Sequence, residues 1–142
     1  MDKWDQRFLV VAGLVSSWSK DPSTRVGAVI VQDKRIIATG YNGFPSGIDD
    51  DDRLHNREAK YALTVHAEMN AILNAAKAGV KLDGSTLYVN GLCVCQDCAK
   101  AVVASGIKRV VATEPVQIER WQESLQKAKA MFDEAGVEYE TT

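Results

Sequence analysis

A histidine and a glutamate lie two residues apart in the otherwise apolar segment ALTVHAEMNAIL, residues 62–73. Burying a glutamate in its charged form costs free energy unless another group compensates the charge. Hydrophobic side chains at the positions of His66 and Glu68 would avoid that cost. We therefore interpret the pair as functional, not structural.

All three cysteines lie within residues 93–98, in the segment LCVCQDCAK. They are too close together to crosslink a secreted fold, so metal binding in a reducing cytoplasm is favoured. Cys95 and Cys98 are three residues apart at the predicted start of a helix, where both sulfurs can face one ion. With His66 they make three ligands, the number that leaves zinc a fourth position for water. Cys93 is interpreted first as a buried core residue, with a competing ligand as the alternative.

Zinc held by three protein ligands lowers the pKa of a bound water, and Glu68 would act as the general acid/base beside it. Positions i and i+2 of a helix do not face the same way, so His66 must lie at the first turn of its helix. Each pattern alone is weak, since His-x-Glu is common and Cys-x-x-Cys also occurs in redox pairs and structural zinc sites. Their combination, each at a predicted strand-to-helix transition, favours a catalytic centre.

Helices and strands alternate along the chain. A helical spacing of apolar residues from Phe8 ends by Pro22, and two β-branched runs at 26–31 and 35–40 predict a hairpin. A long polar connection occupies residues 41–62. Beyond it the sequence predicts helices at 66–78, 96–105 and 117–135 and strands at 85–89, 108–113 and 137–140. This order predicts a layered α/β fold whose last two strands are parallel.

The composition bounds the class of protein. The chain has 142 residues, of which 46% are hydrophobic and 25% charged, which suits one domain over residues 1–142. With a formal net charge of −2 it offers no basic face for a long nucleic acid, so a small ligand is favoured. Acidic and basic residues alternate before the N-terminal apolar run, and a Trp, a Ser and a Lys soon follow it, so we expect neither a signal peptide nor a membrane span. The expected location is the cytoplasm.

The segments VHAEMNAIL and CQDC resemble the H-x-E and P-C-x-x-C signature of zinc-dependent nucleobase deaminases. SKDPSTRVGAVIV, GYNGFPSG and KYALTVHAEMNAIL narrow the resemblance to the deoxycytidylate (dCMP) deaminases of the zinc-dependent cytidine and deoxycytidylate deaminase family. This resemblance implies a three-layer α/β/α cytidine-deaminase-like fold with a central mixed five-stranded sheet. It also implies one catalytic zinc ion per chain, hydrolysis of dCMP to dUMP and ammonia, and a homo-oligomer.

The same resemblance assigns roles to individual residues. The zinc ligands would be His66, Cys95 and Cys98, and Glu68 would be the acid/base. The expected substrate contacts are Asn42 at the sugar, Lys20, Ser23 and Thr24 at the sugar-phosphate end, and Tyr61 and Ala67. Two positions depart from the family pattern: Val94 stands where Pro is usual, and Trp18 stands where many relatives have Arg.

Other functions share parts of this pattern. A tRNA adenosine deaminase would have the same ligands, but the GYNGFP segment and the pI of 5.7 disfavour it. A deaminase of dCTP, cytidine or guanine is a closer alternative. A zinc-containing nucleotide-binding module without activity is disfavoured by Glu68, which such a module would not need.

Overall fold

The computed structural model describes residues 1–114 and 118–142. In this part of the chain one sheet contains β1 (Gly27–Gln32), β2 (Arg35–Tyr41), β3 (Thr86–Asn90), β4 (Arg109–Ala112) and β5 (Glu138–Thr141). The strand order is β2–β1–β3–β4–β5. β1 is antiparallel to both of its neighbours, whereas β3, β4 and β5 are parallel. The predicted mixed five-stranded sheet, with its parallel last pair, is confirmed.

Helices lie on both faces of the sheet. The helices are α1 (Lys3–Ser16), α2 (Arg57–Leu63), α3 (Ala67–Ala78), α4 (Gln96–Ala104) and α5 (Ile118–Ala135). α1 packs on one face against β1 and β3, while α3, α4 and α5 contribute to the core on the other face. The three-layer prediction is therefore confirmed. The predicted start of the last helix at residue 117 lies outside the described residues.

The side chains of β1 alternate between two separate cores, as the period of two in a strand requires. Val29 and Val31 pack with Phe8 and the rest of the α1 face. Ala28 and Ile30 point to the opposite core, which α3, α4 and α5 complete. Burial on both faces explains why β1 is a continuous apolar run in the sequence.

The hairpin between β1 and β2 turns at Asp33 and Lys34. Both residues have positive φ, 52° and 61°. This is the backbone of a type I′ turn, whose twist matches that of the flanking strands. The hairpin predicted from the polar residues between the two runs is confirmed.

The long connection of residues 41–62 contains more regular structure than the sequence analysis predicted. It holds a 3-10 helix, Asp52–His55, and then α2. Asn56 caps α2, and its side chain accepts a hydrogen bond from the backbone N–H of Ala59 at 3.1 Å. An Asn followed by good helix formers was a usable signal, but the preceding Asp run and Pro suggested a loop.

Gly40 allows α3 to lie directly against β2. A Cβ at this position would overlap the backbone of Ala67 and Ala71. The close approach fixes where the N-terminal turn of α3, with Glu68 in it, stands over the sheet.

Within the described residues, no helix combines the length and the apolar character needed to span a membrane.

Candidate metal centre and active site

His66 is the residue immediately before the first turn of α3. Its backbone is extended, with φ −66° and ψ 154°, and Ala67 is the first helical residue. The side chain of His66 therefore points across the helix end while Glu68 sits in the first turn. This is the geometry that the His-x-Glu spacing required.

Cys95 occupies the equivalent place at the start of α4. Its sulfur accepts a hydrogen bond from the backbone N–H of Cys98 at 3.4 Å. The Cys95 side chain therefore caps the N-terminus of α4, a role more often filled by Ser or Asp. The positive end of the helix dipole favours the thiolate at this position. The local sequence thus prepares the sulfur for metal binding.

The two helix starts bring the three predicted ligands together. Nδ1 of His66 lies 3.4 Å from the Sγ of Cys95 and 3.4 Å from the Sγ of Cys98. All three ligand atoms lie within 4.8 Å of one another. Tetrahedral zinc with ordinary Zn–N and Zn–S bonds places N and S about 3.5 Å apart. The residues therefore fit a zinc ion.

The protonation of these groups is strongly coupled. Hydrogen bonding to Cys95 raises the pKa of His66 to about 9, and hydrogen bonding to Cys98 lowers the pKa of Cys95 to about 4. The pKa of Cys98 is raised, first by its hydrogen bond with Cys95 and then by burial. The protein groups alone thus favour one thiolate, one thiol and an imidazolium. A metal must displace the protons of His66 and Cys98.

Glu68 lies beneath this cluster and is only 3% exposed. Burial raises the pKa of its carboxyl above the ordinary value. A carboxyl whose pKa is moved toward neutrality can both take and give a proton, which is what general acid/base catalysis requires. A role in proton transfer beside the three metal ligands would account for a carboxyl being buried here despite the free-energy cost.

These groups form the floor of a cavity of about 660 Å³. His66, Glu68 and Cys95 line it, and a volume in this range accommodates a small organic ligand. Of the predicted substrate contacts, the cavity is lined by Ser23, Thr24, Asn42, Tyr61 and Ala67. Lys20 lies instead at a smaller adjacent depression, where its ammonium pairs with Asp50 at 3.1 Å.

Asn42 is buried and bonded to the backbone on both ends of its amide. Its Oδ1 accepts from the N–H of Val26 at 2.9 Å, and its Nδ2 donates to the carbonyl of Thr24 at 2.8 Å. A primary amide has a second N–H and a second lone pair, so one donor and one acceptor position remain. Asn42 is thus held rigidly at the cavity wall with hydrogen-bonding capacity to spare.

A buried ion pair between Asp21 and Lys60, which the sequence did not predict, holds the cavity wall in place. Asp21 Oδ1 accepts from the N–H of Ser23 at 2.8 Å and from Nζ of Lys60 at 3.2 Å. Both charged side chains are less than 10% exposed, at 9% and 8%. The turn around Asp21 was recognisable from Asp-Pro-Ser, but its partner on α2 was not.

The cavity mouth contains cationic and aromatic residues that sequence analysis also missed. Arg57 lines it from α2, and Arg120 and Trp121 line it from α5. Arg57 and Tyr61 are four residues apart and so share a helix face, which was a usable signal. Nothing in the local pattern pointed to Arg120.

The two departures from the family pattern lie in different places. Val94 is fully buried in the core between β3 and α4. Trp18 packs edge-on against Tyr41, with ring centroids 6.3 Å apart, and stands outside the large cavity. Cys93 is buried beside the metal cluster, as its interpretation as a core residue expected.

The sequence and the fold match proteins of known class. The profile described as "Cytidine and deoxycytidylate deaminase zinc-binding region" matches residues 2–114. An uncharacterized deaminase of the luxG 3′ region of Aliivibrio fischeri is 44% identical, over 97% of this chain and 92% of its own. Human deoxycytidylate deaminase is 37% identical, over 96% of this chain and 78% of its own.

A solved structure supports the same relationship. The dCMP deaminase of cyanophage S-TIM5, in complex with dCMP and dUMP, superposes with a TM-score of 0.80 at 28% sequence identity. The match covers 100% of this chain and 99% of that one.

Proposed function

Since the chain belongs to the cytidine and deoxycytidylate deaminase family, whose members are zinc-dependent deaminases, we propose that it hydrolyses dCMP to dUMP and ammonia in pyrimidine deoxynucleotide metabolism. The observation that carries this proposal is the His66, Cys95 and Cys98 cluster, with buried Glu68, at the floor of a nucleotide-sized cavity. The curated relatives that act on dCMP and the cyanophage structure that holds dCMP and dUMP support the choice of substrate.

The chemistry follows from the donor set. Zinc at these three ligands would lower the pKa of a water and so supply a nucleophile near neutral pH. Deamination consumes that water, breaks the bond between C4 and its amino group, and leaves a C4 carbonyl and ammonia. As the water oxygen bonds to C4, Glu68 would take one proton from the water and deliver it to the ring nitrogen N3. It would then take the second proton from the hydroxyl formed on C4 and deliver it to the departing amine, which leaves as ammonia. The raised pKa of its carboxyl suits both directions of transfer.

The substrate contacts are part of the proposal. Asn42 would hydrogen-bond the sugar through its remaining donor and acceptor, and Ala67 would contact the base from the first residue of α3. Ser23 and Thr24 would lie along the sugar-phosphate, with Tyr61 at the mouth. Lys20 would reach the phosphate from the smaller depression beside this cavity.

We further propose that the protein acts in the cytoplasm as a homo-oligomer on a free nucleotide. Three unpaired cysteines suit a reducing compartment. Val10 and Leu14, one turn apart on α1, are 71% and 60% exposed, and a subunit contact would bury them. A formal net charge of −2 disfavours a polymer of nucleotides.

A substrate panel tests the proposal. Ultraviolet absorbance should show the highest kcat/KM on dCMP among dCMP, dCTP, deoxycytidine, cytidine and guanine. Equal values for dCMP and deoxycytidine would mean that the phosphate is not recognised. Activity confined to guanine or to tRNA adenosine would refute the substrate assignment and leave the zinc chemistry standing.

A further inference from the structure

The side chain of Asn70, on α3, joins two segments that carry residues of the site. Its Nδ2 donates one hydrogen bond to the backbone carbonyl of Tyr41 at 2.8 Å and another to the carbonyl of Val65 at 3.3 Å. Tyr41 immediately precedes Asn42, which lines the cavity, and Val65 immediately precedes His66 of the metal cluster. The two N–H groups of one amide thus connect the end of β2 to the start of α3.

A pair of backbone hydrogen bonds links the same two segments. The N–H of Val65 donates to the carbonyl of Gly43 at 2.8 Å, and the N–H of Gly43 donates to the carbonyl of Val65 at 3.1 Å. Both bonds join residues that lie before α3, whereas Glu68 lies in the first turn of that helix. The Asn70 side chain therefore attaches the turn that carries Glu68 to this backbone pair.

Asn74, one turn further along α3, makes a contact of the same kind at a different place. Its Nδ2 donates to the backbone carbonyl of Thr39 at 2.8 Å. Asn74 and Thr39 lie outside the described lining of the cavity, and neither is next to a residue of the metal cluster. Both amides hold α3 on β2, but it is Asn70 that reaches the segments carrying Asn42 and His66.

The proposed reaction needs a fixed separation between the two ends of the nucleoside. The base would lie at the metal cluster and Glu68, while the sugar would lie at Asn42. The deoxyribose of dCMP has one free hydroxyl, at C3′, and this group can both donate to and accept from the Asn42 amide. A misplacement of about 1 Å between reacting groups can lower a rate about 100-fold. A contact that fixes both ends relative to each other therefore affects catalysis without touching the substrate.

We propose that Asn70 is a positioning residue that holds Glu68 at a fixed distance from Asn42, so that the base reaches the metal cluster while the 3′-hydroxyl of the sugar is bound. This inference rests on the proposed function and adds a residue that acts through its neighbours. Asn70 lies outside the described lining of the cavity, so its effect on the substrate is indirect.

The test compares substrates with and without the 3′-hydroxyl. The measured quantity is the ratio of kcat/KM on dCMP to kcat/KM on 2′,3′-dideoxycytidine 5′-monophosphate, for the zinc-loaded protein and its N70A and N70D variants. Misplacing Asn42 relative to the reacting base should lower this ratio about 3- to 10-fold, the effect of one lost hydrogen bond. N70D keeps the shape of the side chain and removes both donors, so it should act in the same direction as N70A.

The matched control is N74A, which removes an amide-to-carbonyl hydrogen bond of the same length from the same helix. It should lower the thermal midpoint, as N70A does, and leave the ratio unchanged. A smaller folded fraction lowers both rates equally and so does not move the ratio. If N74A lowered the ratio as far as N70A, the effect would belong to the general packing of α3 and the inference would be overturned.

A binding measurement accompanies the kinetics, because a variant could turn over too slowly to assay. Calorimetry with dUMP and with 2′,3′-dideoxyuridine 5′-monophosphate should show N70A and N70D losing affinity for dUMP alone. Equal losses of affinity for both ligands would overturn the inference.

The outcome also separates this inference from the proposed function. A wild-type protein that does not hydrolyse dCMP refutes the function and the inference together. A wild-type ratio near one refutes the sugar contact and the positioning role, and leaves hydrolysis of dCMP standing. A wild-type ratio well above one that persists in N70A and N70D refutes the positioning role alone.

Discussion

Glu68 shows how a single residue couples burial to chemistry. Its carboxyl is nearly sealed from water beside two thiols and an imidazole, and burial raises its pKa. The same burial that costs stability in the charged form brings the carboxyl closer to its protonated state at neutral pH. A buried carboxyl of this kind suits proton transfer better than packing.

Replacing Glu68 by Gln keeps the size of the side chain and removes the carboxyl that can take up and release a proton. We expect E68Q to retain stoichiometric zinc and to lose about 10²–10⁴-fold or more in kcat, the range typical of general acid/base catalysis. Its thermal midpoint should be no lower than that of the wild type, because a neutral amide is not penalised by burial as a carboxylate is. E134Q, at an exposed position of α5, is the matched control. Activity of E68Q within tenfold of the wild type would contradict the assignment.

Zinc affinity should depend steeply on pH. The pKa of His66 is raised to about 9 and that of Cys98 is raised from its ordinary value, so both groups hold protons at neutral pH when no metal competes. Binding must release these two protons, and the affinity should fall about 100-fold for each pH unit below neutrality. Competition with a chromophoric chelator at pH 6, 7 and 8 measures the slope. A slope near zero would mean that the ligands are already deprotonated.

The ion pair between Asp21 and Lys60 attaches the helix α2 to the rest of the fold. The helix is short, and a helix of seven residues is not stable by propensity alone. The pair links it to the turn that presents Ser23 and Thr24 to the cavity. The Asp21–Lys60 ion pair therefore helps to position Arg57 and Tyr61 on α2, although neither residue takes part in it.

Removing one charge of this buried pair should lower the free energy of unfolding far more than removing one charge of the exposed Lys20–Asp50 pair nearby. D21N leaves the Lys60 ammonium buried without a partner, and we expect a loss of about 3 kcal/mol in the free energy of unfolding. D50N, which removes the exposed partner of Lys20, should cost less than about 1 kcal/mol. Urea unfolding at pH 7 compares the two variants. Similar midpoints would show that α2 is held by other contacts.

Asp5 connects α1 to β3 and β4 directly, and to β5 through Arg109. Its carboxylate accepts two hydrogen bonds from Arg109 of β4, both at 2.7 Å, and one from the Tyr88 hydroxyl of β3 at 2.7 Å. Arg109 also donates to Glu140 of β5 at 2.6 Å. The hydrogen bonds from Arg109 lower the pKa of Asp5 well below its ordinary value.

This network predicts the direction of acid sensitivity. The folded pKa of Asp5 lies below its unfolded value of about 3.9, so its stabilisation is complete well above that pH and is lost as the pH falls through it. We expect D5N to lose about 3 kcal/mol at pH 7, with the difference from wild type shrinking by up to about 1.4 kcal/mol per pH unit below pH 4. Urea unfolding at pH 7, 4 and 3 measures both quantities. A difference that stays constant over this range would show that Asp5 is not the group that titrates.

The sequence alone determined the predicted metal ligands and the elements that carry them. Zinc takes nitrogen and sulfur donors, which His66 provides at the start of α3 and Cys95 and Cys98 provide at the start of α4, while the predicted acid/base Glu68 follows His66 by two residues. Periodicity is likewise local, so the strands, the hairpin and α1, α3 and α4 were predicted closely. The short helix α2 was missed, because a cap and seven residues form a weak signal among turn-forming neighbours.

Only the tertiary structure decided which distant side chains meet. Tyr61 and Arg120 are 59 residues apart in the sequence, and Asp5 and Arg109 are 104 apart, yet each pair is in contact. Strand order and the crossover helices set these distances, and no local spacing encodes them. The same reason applies to the lining of the cavity. Lys20 pairs with Asp50 beside the cavity, whereas Arg57 and Arg120, which the sequence did not indicate, line its mouth.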